Sequence, residues 1–167
     1  MTRSLVSIMG SSLFEDLKEI FTCWNSKKID THLNDKVVGI KERDIVFIKM
    51  GKNIGYEQDG KGDEFLRPVV IYKKFNKNMF LGIPLTTKQK NMRYYFEFEY
   101  QTKRKKSVVN SAILSQLRVF DTKRVKYKSG VISKEMFSEL HKVLQEIISP
   151  ADSNFPSCEE KSPEGIQ

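Results

Sequence analysis

A small antiparallel β-barrel flanked by two helices is the fold that this 167-residue sequence predicts. From residue 44 onward, short segments rich in β-branched and aromatic residues follow one another, separated only by turn residues or charge. No helical pattern interrupts them, and parallel strands would need a crossover of a dozen or more residues between members. Amphipathic helical periodicity brackets the run on both sides. Together these place the chain in the mainly β class, as a barrel or strongly bent sheet with helices at its ends.

Leu13, Phe14, Leu17, Ile20, Phe21 and Trp24 recur at helical spacing, and Ser12 with Glu15 has the form of a capping box. The spacing predicts a helix from about residue 12, running on through Ile29 and Leu33, with an apolar stripe that must pack on its own domain or on a partner. The strand segments are DIVFIKM, RPVVIYKKF, NMFLGIPL, RYYFEFEY, SVVNSAIL and QLRVF. Asn76-Lys77-Asn78 supplies a tight hairpin turn between the second and third. In RYYFEFEY the residues Tyr94, Phe96, Phe98 and Tyr100 share one face and Glu97 and Glu99 the other, so one side is wet and the other buried. Beyond Gly130, Ser133 can cap a helix whose apolar face is Met136, Phe137, Leu140, Leu144, Ile147 and Ile148. Pro150 then opens a Pro/Ser/Glu-rich tail of disordered composition. The chain divides into a helical extension (1–40), a barrel domain with its closing helix (41–148) and an acidic tail (149–167).

Charge narrows the function. The chain carries +8, but the stretch from Ser149 holds Asp152, Glu159, Glu160 and Glu164 against Lys161, a net of −3, which leaves +11 on the rest. A body that basic suits phosphates or an acidic protein, although a high charge also serves plain solubility. No apolar run approaches the roughly 20 residues that span a bilayer, and the opening lacks the pattern of a secretory signal. Cys23 and Cys158 form neither a zinc spacing nor a disulfide framework, which points to a reducing, cytoplasmic setting.

The common catalytic kits are missing. His32 and His141 both fall on predicted helices outside the strands, so neither a histidine acid–base pair nor a histidine metal site can be assembled. The glycines at 51, 55, 60 and 62 precede a strand, not a helix, which disfavours nucleotide-triphosphate chemistry. A polar set remains at strand ends: Glu57, Gln58 and Arg67 around the acidic loop DGKGDEFL, Thr86 and Thr87 after LGIPL, then Gln116 and Arg118. In a small barrel such positions can converge at one rim, where a guanidinium grips a phosphate bidentately and a hydroxyl holds another oxygen. That is the skeleton of a phosphodiester site needing no metal. On spacing alone, the plainer reading is that Arg67 salt-bridges loop carboxylates and that the threonines are ordinary strand residues.

These same residues resemble the MazF/PemK-like toxins of type II toxin–antitoxin systems. The motifs appear in order as Gly55-Tyr56-Glu57-Gln58, Arg67-Pro68-Val69-Val70, Pro84-Leu85-Thr86-Thr87, and Leu114-Ser115-Gln116-Leu117-Arg118 with Asp121 and Arg124, over residues 41–148. The resemblance implies an SH3-like barrel of the MazF/PemK/CcdB kind that works as a homodimer. It implies sequence-selective, metal-independent cleavage of single-stranded RNA such as mRNA to a 2′,3′-cyclic phosphate and a 5′-hydroxyl, with no cofactor. It further implies control by a cognate acidic antitoxin, together with which such toxins bind DNA. Arg67 and Thr86 map to the family's catalytic pair, and Glu57, Gln116 and Arg118 to RNA contacts. Gln58, Thr87 and Lys88 lie beside them, completing the expected RNA-binding set.

The sequence departs from the family in the long loop between Gln58 and Arg67. It is similar there to a subgroup with a helical lead-in like Trp24-Asn25 and Lys27-Lys28. Ser115 stands where several members carry an acidic residue proposed as a general base, so that role would fall to Glu57, another carboxylate or a solvent route. The alternative is a non-catalytic module on the same barrel that binds RNA or a protein such as gyrase. Lys88, Lys90 and Arg93, with the loop Lys103 to Lys106, would line such an RNA path. Asp59, Asp63 and Glu64 would repel RNA over the groove, which implies a flap that points away or moves aside.

Overall fold

A computed structural model describes residues 2–36, 38–89, 92–103 and 105–149, with side chains from residue 13 onward. Helix α1 (Thr2–Leu33) leads into strands β1 (Asp44–Lys49), β2 (Leu66–Lys74), β3 (Met79–Thr86), β4 (Tyr95–Thr102), β5 (Ser107–Ile113), β6 (Arg118–Asp121) and β7 (Val125–Val131), followed by helix α2 (Lys134–Ile148). Every pairing is antiparallel, and the contact of β2 with β3 closes the ring β1-β2-β3-β5-β4-β7 into a six-stranded barrel. β6 adds outside that ring: it takes the Met79–Gly82 half of β3, while β5 takes Leu85 and Thr86.

The expected barrel with its flanking helices is what the chain forms, and the strand faces show why. Ile45 and Val70 enter one core with Ile83, Leu85, Phe98 and Tyr100, whereas their neighbours Val46, Ile48, Val69 and Ile71 enter a second core with Phe80 and Phe120. β1 and β2 are therefore buried on both faces, which is why IVFI and VVI read as unbroken apolar runs. β4 alternates as its sequence predicts, with Phe98 and Tyr100 buried and Glu97 and Glu99 exposed. The Asn76 side chain builds the β2–β3 hairpin by accepting from Asn78 N at 2.8 Å and Met79 N at 2.9 Å.

Helix α2 starts where its cap predicts: Ser133 Oγ accepts from Met136 N at 3.1 Å. It lays Leu140 and Leu144, both fully buried, onto the first core, with Met136, Phe137 and Ile147 partly covered beside them. Ile148, expected on the same face, is exposed.

Three expectations are corrected. Helix α1 begins ten residues before Ser12, because the preceding stretch holds no proline and its single Gly10 costs a helix only about 1 kcal/mol. The local capping pattern is overridden by a longer helix. Within that helix the apolar stripe is not seated as a whole, and its expected continuation through Ile29 and Leu33 is exposed. Trp24 and Thr31 are buried against the barrel, while Leu13, Phe14, Leu17, Ile20 and Phe21 remain exposed. The third correction is β7, whose VKYKSGV alternates apolar residues with lysine and serine and so lacks the dense apolar signal of the other strands. β7 closes the barrel through Gly130, where a Cβ would meet the Gln101 carbonyl oxygen at 2.6 Å, so only glycine lets β4 approach so closely.

The acidic tail with Cys158, the side chain of Ser12, and Lys90 and Arg104 of the basic stretches lie outside the described residues. Among the described residues, no helix is long and apolar enough to cross a membrane.

Candidate nucleic-acid interface

Arg67 and Thr86 meet because of one register. β2 pairs Val69 with Pro84, so two residues further along each strand Arg67 and Thr86 stand at the same level. Both line a cleft of about 320 Å³ together with Phe47, Lys61, Pro68, Thr87 and Tyr127. Thr86 Oγ1 accepts from Lys88 N at 3.2 Å, which turns the chain at the cleft rim and leaves the hydroxyl proton to be donated.

Arg67 is buried, with 8% of its surface accessible. Its Nη1 donates to the Leu85 carbonyl at 3.1 Å and its Nε to the Asp59 carbonyl. Burial lowers its pKa, an effect that the nearby Asp59 partly offsets. A guanidinium remains charged even so. Its hydrogen-bond partners are main-chain carbonyls, not loop carboxylates. The Asp59 carboxylate is turned instead to Lys52 and to Asn53 N, the latter at 2.6 Å. The arrangement holds a rigid cation at the cleft without a hydrogen-bonded anion to cancel it, which is the electrostatic condition for gripping a phosphate.

A second pair of contacts ties Gln116 to the same segment. Gln116 Nε2 donates to Tyr56 O and its Oε1 accepts from Gln58 N, both at 3.3 Å. Residues 56–59 are thereby clamped, with Gln116 on one side and Arg67 on the other. Gln116→Ala is expected to loosen that clamp, costing about 0.5–1.5 kcal/mol per lost hydrogen bond in stability. A thermal melt against wild type checks this.

The remaining expected residues fall around this centre, and of the expected RNA contacts Thr87 lines the cleft whereas Glu57, Gln58, Lys88, Gln116 and Arg118 do not. Glu57 is exposed and accepts from Ile54 N at 3.3 Å, closing the 54–57 turn. Lys88 is exposed at the rim. Arg118 does not line the cleft: its guanidinium lies 5.1 Å over the Phe120 ring and helps depress the pKa of Arg124, behind burial as the larger cause. Arg124 in turn donates to Lys49 O at 2.9 Å and sits over Trp24, at the α1 side of the barrel. His141 meets Tyr72 on the α2 side, and among the described residues no carboxylate or imidazole lines the cleft.

The acidic loop is folded onto its surroundings. Lys61 bridges to Leu66, Phe65 packs on Trp24 with ring centroids 5.5 Å apart, and Glu64 pairs with Lys126 at 2.7 Å. That hydrogen bond holds the Glu64 carboxyl below its ordinary pKa. Asp63 lines a separate groove against α1, beside Asp16 and Glu19. Two of the three loop carboxylates are thus paired with lysines, and the third faces α1.

Phe47, Lys61 and Tyr127 complete the cleft without having been expected there. Phe47 sits in an apolar run that reads as core, and Tyr127 in the strand that the sequence hid.

The pattern of the family described as PemK-like, MazF-like toxin of type II toxin–antitoxin system matches residues 41–148. No curated protein matches the chain. Among solved structures, MazF (Form-I) from Deinococcus radiodurans is similar at 18% identity with a TM-score of 0.51, covering 68% of this chain and 97% of that one. The MazE-MazF structure (Form-II) from the same organism matches at 14% identity and a TM-score of 0.48, covering 69% and 98%. Mycobacterium tuberculosis toxin MazF-mt6 matches at 10% identity and 0.47, covering 62% and 94%. The first of these likenesses supports the fold.

Proposed function

The chain belongs to the PemK-like, MazF-like toxins of type II toxin–antitoxin systems, and from that premise we propose that it is an endoribonuclease cutting single-stranded RNA without a metal ion. The observation that carries the proposal is the pairing of Arg67 and Thr86 in one cleft. In this reading the ribose O2′ attacks the adjacent phosphorus and the P–O5′ bond breaks, leaving a 2′,3′-cyclic phosphate and a 5′-hydroxyl. Arg67 stabilises the charge on the phosphorane oxygens and Thr86 donates its hydroxyl proton to one of them. Since among the described residues no carboxylate or imidazole lines the cleft, in this reading the O2′ proton leaves to solvent, and the departing O5′ takes one from solvent.

In this reading Gln58, Gln116 and Glu57, on and against the segment beside the cleft, read RNA sequence, and Thr87 and Lys88 hold the strand. Arg118 contacts RNA only along a path that extends past the cleft toward Arg124. We propose a homodimer, held inactive by an acidic antitoxin that the basic body attracts, acting in the cytoplasm on mRNA. Its binding of DNA would then occur as the toxin–antitoxin complex.

End mapping of the products tests the chemistry. The proposal expects fragments that bear a 5′-hydroxyl and resist ligation until phosphorylated. Fragments with 5′-phosphate ends contradict the mechanism, and gyrase inhibition without RNA scission contradicts the activity. RNA affinity that falls with salt but brings no cleavage would mark a binding module instead.

A further inference from the structure

Resting on the RNA-cleavage reading above, we infer that the exposed face of Tyr127 is a nucleobase-stacking subsite beside the scissile phosphate, with Phe47 as its rigid backing. The β1–β7 register sets Phe47 directly across from Tyr127, and the rings stack with centroids 4.9 Å apart and planes 21° from parallel. Phe47 is half-buried behind, whereas Tyr127 keeps 46% of its surface open. An aromatic ring held on one face and open on the other is a platform of fixed orientation, which is what sequence-tolerant base stacking uses.

Position decides what the platform takes. The same cleft holds Arg67 and the Thr86 hydroxyl, both suited to phosphate oxygens, with Lys61 at its edge. The lysines on either side of Tyr127 are turned to other partners, Lys126 to Glu64 and Lys128 to Asp44. The ring itself is therefore the group that β7 presents to the cleft. A phosphate gripped at Arg67 brings the base of a flanking nucleotide within reach of that ring, and at about 320 Å³ the cleft lies within the range of small-ligand sites.

The test compares wild type with Tyr127→Ala, Tyr127→Phe and Tyr127→Leu, the last retaining an apolar contact with Phe47 but no π face. Two readouts are used: single-turnover cleavage of an oligoribonucleotide carrying an abasic residue at each position flanking the cut, and quenching of 2-aminopurine placed at the same positions. Tyr127→Ala and Tyr127→Leu are expected to raise the protein concentration for half-maximal cleavage about tenfold with the maximal single-turnover rate within about threefold of wild type, as for loss of one stacked base, while Tyr127→Phe stays within about twofold. At one flanking position the abasic RNA is expected to erase the difference between wild type and Tyr127→Ala, and 2-aminopurine there to be quenched by wild type and Tyr127→Phe only. A Tyr127→Ala deficit that persists on every abasic RNA, or quenching unchanged in Tyr127→Ala, overturns the subsite. Quenching as expected in a wild type that never cleaves RNA would leave the subsite standing and overturn the nuclease reading.

Discussion

Arg67→Lys is expected to slow single-turnover RNA cleavage by about 10²–10³-fold even though it keeps the positive charge. The reason lies in the geometry of the guanidinium. Nη1 is committed to the Leu85 carbonyl and Nε to the Asp59 carbonyl, so the planar fork is fixed in orientation by two main-chain acceptors on different elements. A lysine ends in a single ammonium that cannot satisfy both carbonyls and also face a phosphate. It leaves at least one buried acceptor unpaired, a cost of about 1–3 kcal/mol in stability. A thermal melt separates the two effects: at a temperature where the variant stays folded, the rate loss must persist. Cleavage within threefold of wild type would show that a point charge suffices and that the fixed fork is irrelevant.

Trp24→Ala is expected to destabilise the protein by about 3–5 kcal/mol, the usual range for removing a large buried aromatic. Trp24 is 5% accessible and joins three parts of the structure. It fills the space over Gly51, whose φ of +99° and absent side chain admit the indole, it packs on Phe65 of the acidic loop, and it carries the Arg124 guanidinium 5.8 Å above its ring. Among the described residues, hydrogen bonds also tie α1 to the barrel: Lys49 Nζ to Thr31 Oγ1 at 3.2 Å, and Lys123 Nζ to the His32 carbonyl at 2.8 Å. Such contacts on partly exposed groups contribute little alone. Losing the indole therefore frees the helix, and circular dichroism should show α1 melting below the main transition. Gly51→Ala is expected to act in the same direction, since a Cβ there would overlap the indole ring. A single cooperative melt within 1 kcal/mol of wild type for Trp24→Ala would mean that the helix is held by something else.

The fold was legible in the sequence wherever packing and pattern agree. Strands buried on one face, such as β4, show period two, and strands buried on both faces, such as β1 and β2, show apolar runs; both signals survive without tertiary information. That Arg67 and Thr86 could converge at one rim was readable from their places at strand ends, but their exact register was not: a one-residue shift between Ile71 and Lys73 changes the pairing that the Asn76 to Asn78 turn begins. Tyr127 was not, because the lysines that alternate with it pair with Glu64 and Asp44, contacts that no local pattern announces. The anchoring of Arg67 was equally hidden: main-chain carbonyls have no sequence signature, so the loop suggested carboxylate partners. The apolar stripe of α1 reads as a face that packs on its own domain or on a partner, yet of its residues from Leu13 to Leu33 the barrel buries Trp24 and leaves Ile29 and Leu33 exposed. Arg118 shares a motif with Gln116 but points elsewhere, since it starts β6 outside the closed ring.

The acidic loop also takes on a different character. Asp59 acts through its carbonyl on Arg67 and through its carboxylate on Lys52, so this residue links the loop to the cleft. The loop belongs to the wall that orients the guanidinium.

The most direct test of the central claim, that Arg67 in this cleft performs phosphodiester chemistry, is single-turnover cleavage of a mixed-sequence RNA in EDTA by wild type and Arg67→Ala side by side. The account predicts cleavage by wild type and a rate at least about a hundredfold lower for Arg67→Ala. No cleavage by wild type, or equal rates for the two proteins, would contradict it.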